Sequence, residues 1–338
     1  MGSPLSHRRL RVRFLVPALA LGLVVWSWVP LWAGALPGAA PAVVLTTGSV
    51  APVSSPASGV TQVAVASTPG DDTQNWKSFE TAVKLLSDSE TGRKLLARVE
   101  KSFNLSLSST PPPTPEQLDV LFKWDFVSRT DAVLTRHFDP KSGLEERNRE
   151  VSVHLKRDQP LVDLVYDLAH ELTHAIAGPN WDPYDPGLTA SGYIWTALEG
   201  PGGEVDAVVS ECRVARELAG GDLVGRCLRY VRNAKIDREK VREDFYRIGD
   251  WVTTLRKRLG SEAVKFPLLS ELPPRLYSST GSAPYPVSLL REYDEITAVA
   301  CDNSRRRYAA ASRGPASESD QAWESTREFL QNRCKRTR

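Results

Sequence analysis

Leu161-Val162-Asp163-Leu164-Val165-Tyr166-Asp167-Leu168-Ala169-His170-Glu171-Leu172-Thr173-His174-Ala175-Ile176 decides how this chain is read. Val165, Leu168, Leu172, Ala175 and Ile176 recur at helical spacing, so an amphipathic helix with one buried stripe is expected. Residues four apart on a helix lie on one face, one turn apart. The imidazoles of His170 and His174 can therefore reach a single ion with Zn–N bonds of about 2.0–2.1 Å. Glu171 directly follows the first of them, and from there its carboxylate can reach a water activated by the ion without ligating the ion itself, which is where a general base has to stand. The chain has only 5 His, and an H-E-x-x-H string arising by chance from such a composition is roughly a one-in-two-hundred event. The plain alternative is a helix with two solvated histidines and a surface glutamate.

The stretch Ala169 to Ala175, AHELTHA, resembles the active-site helix of zincin-like metallopeptidases. The resemblance implies a catalytic zinc (Zn2+) ligated by His170 and His174, with Glu171 as the base. Asp163 and Asp167 depart from the mostly uncharged lead-in usual in that family; one of them is a candidate partner for an imidazole N–H, against a plainer reading as a solvated face. Such a zinc needs a third protein ligand and leaves its fourth position open. The metzincin branch would place glycine three and histidine six residues after His174, where this chain has Ala177 and Asn180, so that branch is excluded. An aspzincin ligand would come from Asp182 or Asp185, in a segment that lacks the rest of that pattern. The gluzincin branch takes a glutamate from a second helix, and Gly200 to Gly220, GPGGEVDAVVSECRVARELAG, fits it, with glycines marking a break before an apolar stripe of Val205, Val208, Val209, Cys212 and Ala215. Glu204, in the first turn beside that stripe, is the first choice; Glu199 and Glu211 compete. A glutamate there is also what the helix macrodipole alone favours. Asp206 is a candidate support for the site from outside the ligand set.

Two strand-like stretches, Ala132 to Phe138 and Glu150 to Leu155, precede the zinc helix across a polar loop at Asp139-Pro140-Lys141-Ser142-Gly143. In zincins an antiparallel edge strand borders the cleft at this point and pairs with substrate backbone, a place that falls to Val151 to Leu155. His137 and His154 on these strands read as ordinary residues rather than ligands. After His174 a Pro/Gly-rich stretch, Gly178 to Gly203, carries Trp181, Tyr184, Tyr193 and Trp195, which suit either a cleft wall or core packing. The family requires a donor for the developing oxyanion; Tyr193 is chosen, with Tyr230 and Arg213 in competition.

With 41% hydrophobic and 25% charged residues over 338 positions, the composition is that of a globular enzyme, and a net charge of +2 gives no argument for nucleic acid as a partner. The first 35 residues read as an export signal: Arg8, Arg9, Arg11 and Arg13 lead into the apolar run Phe14 to Trp32, and Ala33-Gly34-Ala35 supplies a cleavage site. The run is also long enough to anchor the chain in a bilayer if uncleaved. Residues 36–72, rich in Ala, Pro, Val, Ser, Thr and Gly, read as a disordered linker or pro-segment, and folded sequence is expected from near Thr73. Trp76 to Phe103 reads as two helices, broken at Ser87 to Thr91. Asp237 to Leu259 and Ser288 to Cys334 read as further helices.

Cys212, Cys227, Cys301 and Cys334 all lie in the exported portion, where their even number favours two disulfides. Three pairings are open; nearest-neighbour closure joins Cys212 with Cys227 and Cys301 with Cys334. The sequence thus predicts a mostly helical α+β, zincin-like domain over residues 73–338, with a small antiparallel sheet before the zinc helix, exported and acting on protein or peptide substrates. Two other readings stand beside it: a non-catalytic envelope protein that keeps the fold, and an amidase acting on cell-wall peptides.

Overall fold

A computed structural model describes residues 12–16, 72–138, 145–178, 181–220, 225–277, 283–311 and 320–334. The expected cleavage site, the linker up to residue 71, the apolar run beyond Val16 and the polar loop 139–143 lie outside the described residues. The chain is mostly helical with a small sheet. In order, its elements are β1 (Val12–Val16), α1 (Thr73–Asp88), α2 (Glu90–Phe103), α3 (Pro115–Leu118), β2 (Phe122–Asp125), β3 (Arg129–Phe138), β4 (Glu145–Lys156), α4 (Leu161–Ala175), α5 (Ala190–Leu198) and α6 (Glu204–Leu218). A 3-10 turn at Gly225–Tyr230 and a short ribbon, β5 (Val231–Arg232) with β6 (Lys235–Ile236), lead to α7 (Arg238–Phe245), α8 (Val252–Leu259), α9 (Tyr285–Ala311) and α10 (Asp320–Asn332). No helix among the described residues is long and apolar enough to cross a membrane.

Folded helix begins at Thr73, where the sequence places it, and the break between α1 and α2 falls on Ser89. Ser89 is extended at φ −92°, ψ 147°, and its hydroxyl accepts the Gly92 N–H at 2.8 Å, so it ends one helix and caps the next. Both expected strands form and are longer than their apolar cores: β3 and β4 pair antiparallel from Arg129↔His154 to Phe138↔Glu145. The sheet order is β1-β3-β4-β2, with β2 parallel to β4. Val151 to Leu155 is therefore an inner strand, contrary to the expectation that it borders the cleft; it is hydrogen-bonded on both sides, and it is β3 that bonds Glu171 of α4, through Thr130.

Two apolar cores flank α4 and α6. One joins α1, α2, the sheet and α4, through Phe79, Leu86, Leu96, Phe122, Val153, Leu164, Leu168 and Leu172. The other gathers α5 to α9, including Val205, Val208, Val209, Phe245, Tyr246 and Tyr285. Helix α4 buries its predicted stripe, Val165, Leu168, Leu172 and Ala175, in the first core, with Ile176 packed at its margin. Truncating such a buried leucine to alanine costs about 2–5 kcal/mol. Helix α6 packs across α4 and sits between the cores, sending Val205, Val208, Val209 and Cys212 into the second and Val214 into the first. The polar faces of α4 and α6 meet at this seam. Two disulfides, Cys212–Cys227 and Cys301–Cys334, give the nearest-neighbour pairing. Such bonds persist in oxidising compartments.

Candidate metal centre

Helix α4 brings His170 and His174 onto one face, and the first turn of α6 brings Glu204 against both. His170 Nε2 lies 3.6 Å and His174 Nε2 3.9 Å from Glu204 Oε2. All three residues are buried, Glu204 to 1% exposure. Neither Nε2 atom and neither oxygen of Glu204 has a hydrogen-bond partner. Four buried polar atoms left orphaned cost several kcal/mol, and here all four belong to one group whose ligand atoms lie within 4.8 Å of one another. Tetrahedral zinc with ligand distances of about 2.05 Å separates its ligands by about 3.4 Å. The group therefore fits a metal ion slightly more open than that geometry.

The opposite ring nitrogens are each held. His174 Nδ1 donates to the Gly202 carbonyl at 2.8 Å, and His170 Nδ1 faces Glu211 Oε2 at 3.3 Å. With Nδ1–H engaged in this way, Nε2 is the atom each ring can offer to an ion. Gly202 reaches its position at φ +70°, and a Cβ there would come within 2.3 Å of the Ala177 Cβ, so the turn that orients His174 requires glycine. Its N–H donates to Asp206 Oδ2 at 3.1 Å, and Asp206 is paired in turn with Arg238 at 3.0 Å. Asp206 thus supports His174 through a backbone turn.

Burial lowers the basicity of both histidines. For His170 the carboxylates of Glu204 and Glu211 overcome this and lift its pKa well above the ordinary imidazole value, while His174 stays below it. Burial pushes Glu171 up to about 8, against the pull of His170 and of the Thr130 hydroxyl. Thr130 Oγ1, on β3, lies 2.8 Å from Glu171 Oε2 and 2.9 Å from its backbone oxygen, so the strand fixes the carboxylate in place.

The competing acidic residues are engaged elsewhere. Glu199 binds Arg242 at 2.6 Å and the Tyr246 hydroxyl at 2.7 Å. Asp182 and Asp185 close local turns through the Tyr184 and Gly187 N–H groups. Glu211 stands behind His170 rather than beside the two Nε2 atoms. Asp167 pairs with Arg226 and Ser128, while Asp163 is exposed. Tyr193 packs its ring against Trp181 and Tyr293, and its hydroxyl bonds Glu292. Tyr184 packs on Phe329, and Trp195 is exposed, so three of the four loop aromatics serve packing. Tyr230 associates with Arg229 and Asp244, and Arg213 is exposed.

Tyr285, passed over in the sequence, is the tyrosine on which the charges of Glu204 and Glu171 bear; burial first, then these two carboxylates, hold its hydroxyl well above the usual range. It sits 111 positions beyond His174 at the start of α9, and no local pattern ties it to the HELTH helix. Thr130 was likewise hidden, because its role depends on strand pairing. No family model, curated protein or solved structure matches the chain.

Proposed function

We propose that the chain is an exported zinc-dependent metallopeptidase of gluzincin type, with a zincin-like domain that hydrolyses peptide bonds. The observation that carries this reading is the convergence of four orphaned, buried ligand atoms from His170, His174 and Glu204, with Glu171 next to the first. Three protein ligands leave a fourth position open, as in catalytic rather than structural zinc sites. Zinc held there supplies Lewis acidity, which polarises a carbonyl and acidifies water to a pKa near ~7.

The chain's own residues account for the remaining work. His170 and His174 would bind through Nε2, and Glu204 would offset one of the ion's two positive charges. Glu171, held by Thr130, accepts a proton from the attacking water and returns it to the leaving amine. Tyr285, whose hydroxyl the charges of Glu204 and Glu171 bear on, is the proposed donor to the developing oxyanion. The outer side of β3 already accepts an antiparallel partner, Val12–Val16, paired from Val16↔Thr130 to Val12↔Leu134. Removal of the N-terminal segment on export frees that edge for substrate backbone beside Thr130 and Glu171.

The near-complete burial of these side chains favours a second reading, a metal-stabilised binding domain without turnover. Glu171→Gln separates the two. It should retain near-stoichiometric zinc and lose peptide hydrolysis, whereas His170→Ala with His174→Ala should lose the zinc. Full zinc content in that double variant would sink the proposal, and wild-type protein that binds zinc but cleaves no peptide would select the binding domain.

A further inference from the structure

Helix α6 touches the metal group from two sides. Glu204 faces the two Nε2 atoms, and Glu211, two turns on, stands behind His170 with Oε2 3.3 Å from Nδ1. Glu211 is 3% exposed, so its charge needs a partner within the protein. That partner is Arg226, whose Nε lies 2.5 Å from Glu211 Oε1. Arg226 also extends Nη2 to Asp167 Oδ1 at 3.2 Å, three residues before His170 on α4. The other oxygen of Asp167 accepts the Ser128 hydroxyl at 2.5 Å, and Ser128 Oγ accepts the Lys156 N–H at 3.1 Å. One guanidinium thus ties α6 to α4 behind the ligand ring.

Arg226 lies on the short 3-10 turn Gly225–Tyr230 rather than on either helix. What holds the turn there is covalent: the residue after Arg226 is Cys227, and it is bonded to Cys212, the residue after Glu211, with a Cα–Cα distance of 5.3 Å. Cys227 Sγ is itself 3.7 Å from Glu211 Oε1. The disulfide joins the neighbours of the two members of the ion pair. The second bridge, Cys301–Cys334, fastens the end of α10 to α9 and packs with Phe329 in a separate cluster.

We infer that the Cys212–Cys227 disulfide tunes the metal centre by holding Arg226 against Glu211, which orients the ring of His170. Glu211 and Arg226 are positioning residues, and metal affinity depends on this bridge and not on Cys301–Cys334. The inference rests on the metal-site reading above.

The test measures Zn2+ affinity of the full, oxidised chain by competition with a chromogenic chelator. Glu211→Gln, Arg226→Met and the Cys212→Ala/Cys227→Ala pair should each weaken it by about 10- to 100-fold, the range for outer-sphere partners of a ligand histidine. Arg226→Lys, which keeps the charge but cannot span Glu211 and Asp167, should recover part of that loss. Cys301→Ala/Cys334→Ala should leave affinity unchanged. Co2+ loaded into Glu211→Gln should show shifted d–d bands, a change in ligand field that lowered stability alone does not produce. If the Cys212/Cys227 variant does not fold, Glu211→Gln and Arg226→Met with their Co2+ spectra decide. Wild-type affinity and spectra in those two variants overturn the inference and leave the metal site standing, as does an equal loss on removing the Cys301–Cys334 bridge. Wild-type protein that binds no Zn2+ overturns the metal site itself, and the inference with it.

Discussion

Glu199, Glu204 and Glu211 are spaced so that sequence alone leaves each a possible ligand, and their surroundings separate them. Glu199 has two strong partners, Arg242 and Tyr246, and Glu211 has Arg226, while neither oxygen of Glu204 has a hydrogen-bond partner and it faces the two histidines. A buried carboxylate without a partner is costly unless an ion completes it. Glu204→Ala should therefore abolish stoichiometric zinc binding, and Glu199→Ala should retain it; metal analysis giving the reverse order would reassign the ligand. Tyr285 poses a different question, because the role proposed for it is in the reaction rather than in holding the ion. Tyr285→Phe should keep zinc and lower kcat by about 10²- to 10³-fold, the effect of removing one oxyanion donor. The corresponding change at Tyr193, whose hydroxyl is bound to Glu292, should have a much smaller effect on kcat. Equal losses in the two variants would remove Tyr285 from the mechanism.

At the level of elements, α5 and α9 meet through the bond between Tyr193 and half-buried Glu292. Burial raises Glu292 from the ordinary 4.5 to about 7, a rise that the Tyr193 hydrogen bond opposes and Glu295 reinforces. Between those values the folded chain keeps a proton that the unfolded chain has released, so folding loses stability as pH rises from about 4.5 to 7 and stays reduced above it. Glu292→Gln should flatten this dependence and raise stability at pH 8 by about 1–3 kcal/mol. Urea midpoints at pH 5 and pH 8 check it; an unchanged difference between the two pH values in the variant would refute it. The same helices mark how far the sequence could be read. The α4 stripe and the pairing of His170 with His174 were legible because helical periodicity is local, and so was the start of α6 at Glu204 after the glycine break. Placing β4 at the cleft went astray because alternation reveals a strand but not its neighbours: β2, only four residues long, covers the free side of β4. Thr130, Tyr285 and Arg226 were invisible for a related reason. Thr130 meets Glu171 across 41 residues, and Tyr285 is farther still from Glu204 and Glu171 in the chain; Arg226 is only 15 positions from Glu211 but sits on a separate 3-10 turn, where no helical period aligns the two.

Over the whole molecule the metal group lies where two apolar cores meet, bounded by α4 from one and α6 shared between both. The two disulfides suit an oxidising, extracytoplasmic setting. Sequencing the exported protein should find a start near Leu36, and a start at Met1 in a membrane fraction would favour an anchor instead. A metal held at this seam would also be coupled to folding. With an ion bound, the charge of Glu204 would be compensated and both Nε2 lone pairs engaged inside the protein. Without one, the same three groups stay buried with unpartnered atoms, and the interface between α4 and α6 bears the cost. Metal that binds the folded chain and not the unfolded one stabilises by RT ln(1 + [L]/Kd), about 2.7 kcal/mol at a free concentration 100 times Kd. For a domain of this size that corresponds to a rise in Tm of about 5–10 °C. Chelation should therefore lower Tm by that amount, and added Zn2+ should restore it. Glu171→Gln should show the same response, because it removes a base and no ligand. Glu204→Ala should show none, since it no longer holds the ion. A chelator-sensitive Tm that persists in Glu204→Ala would place the stabilising metal elsewhere in the chain.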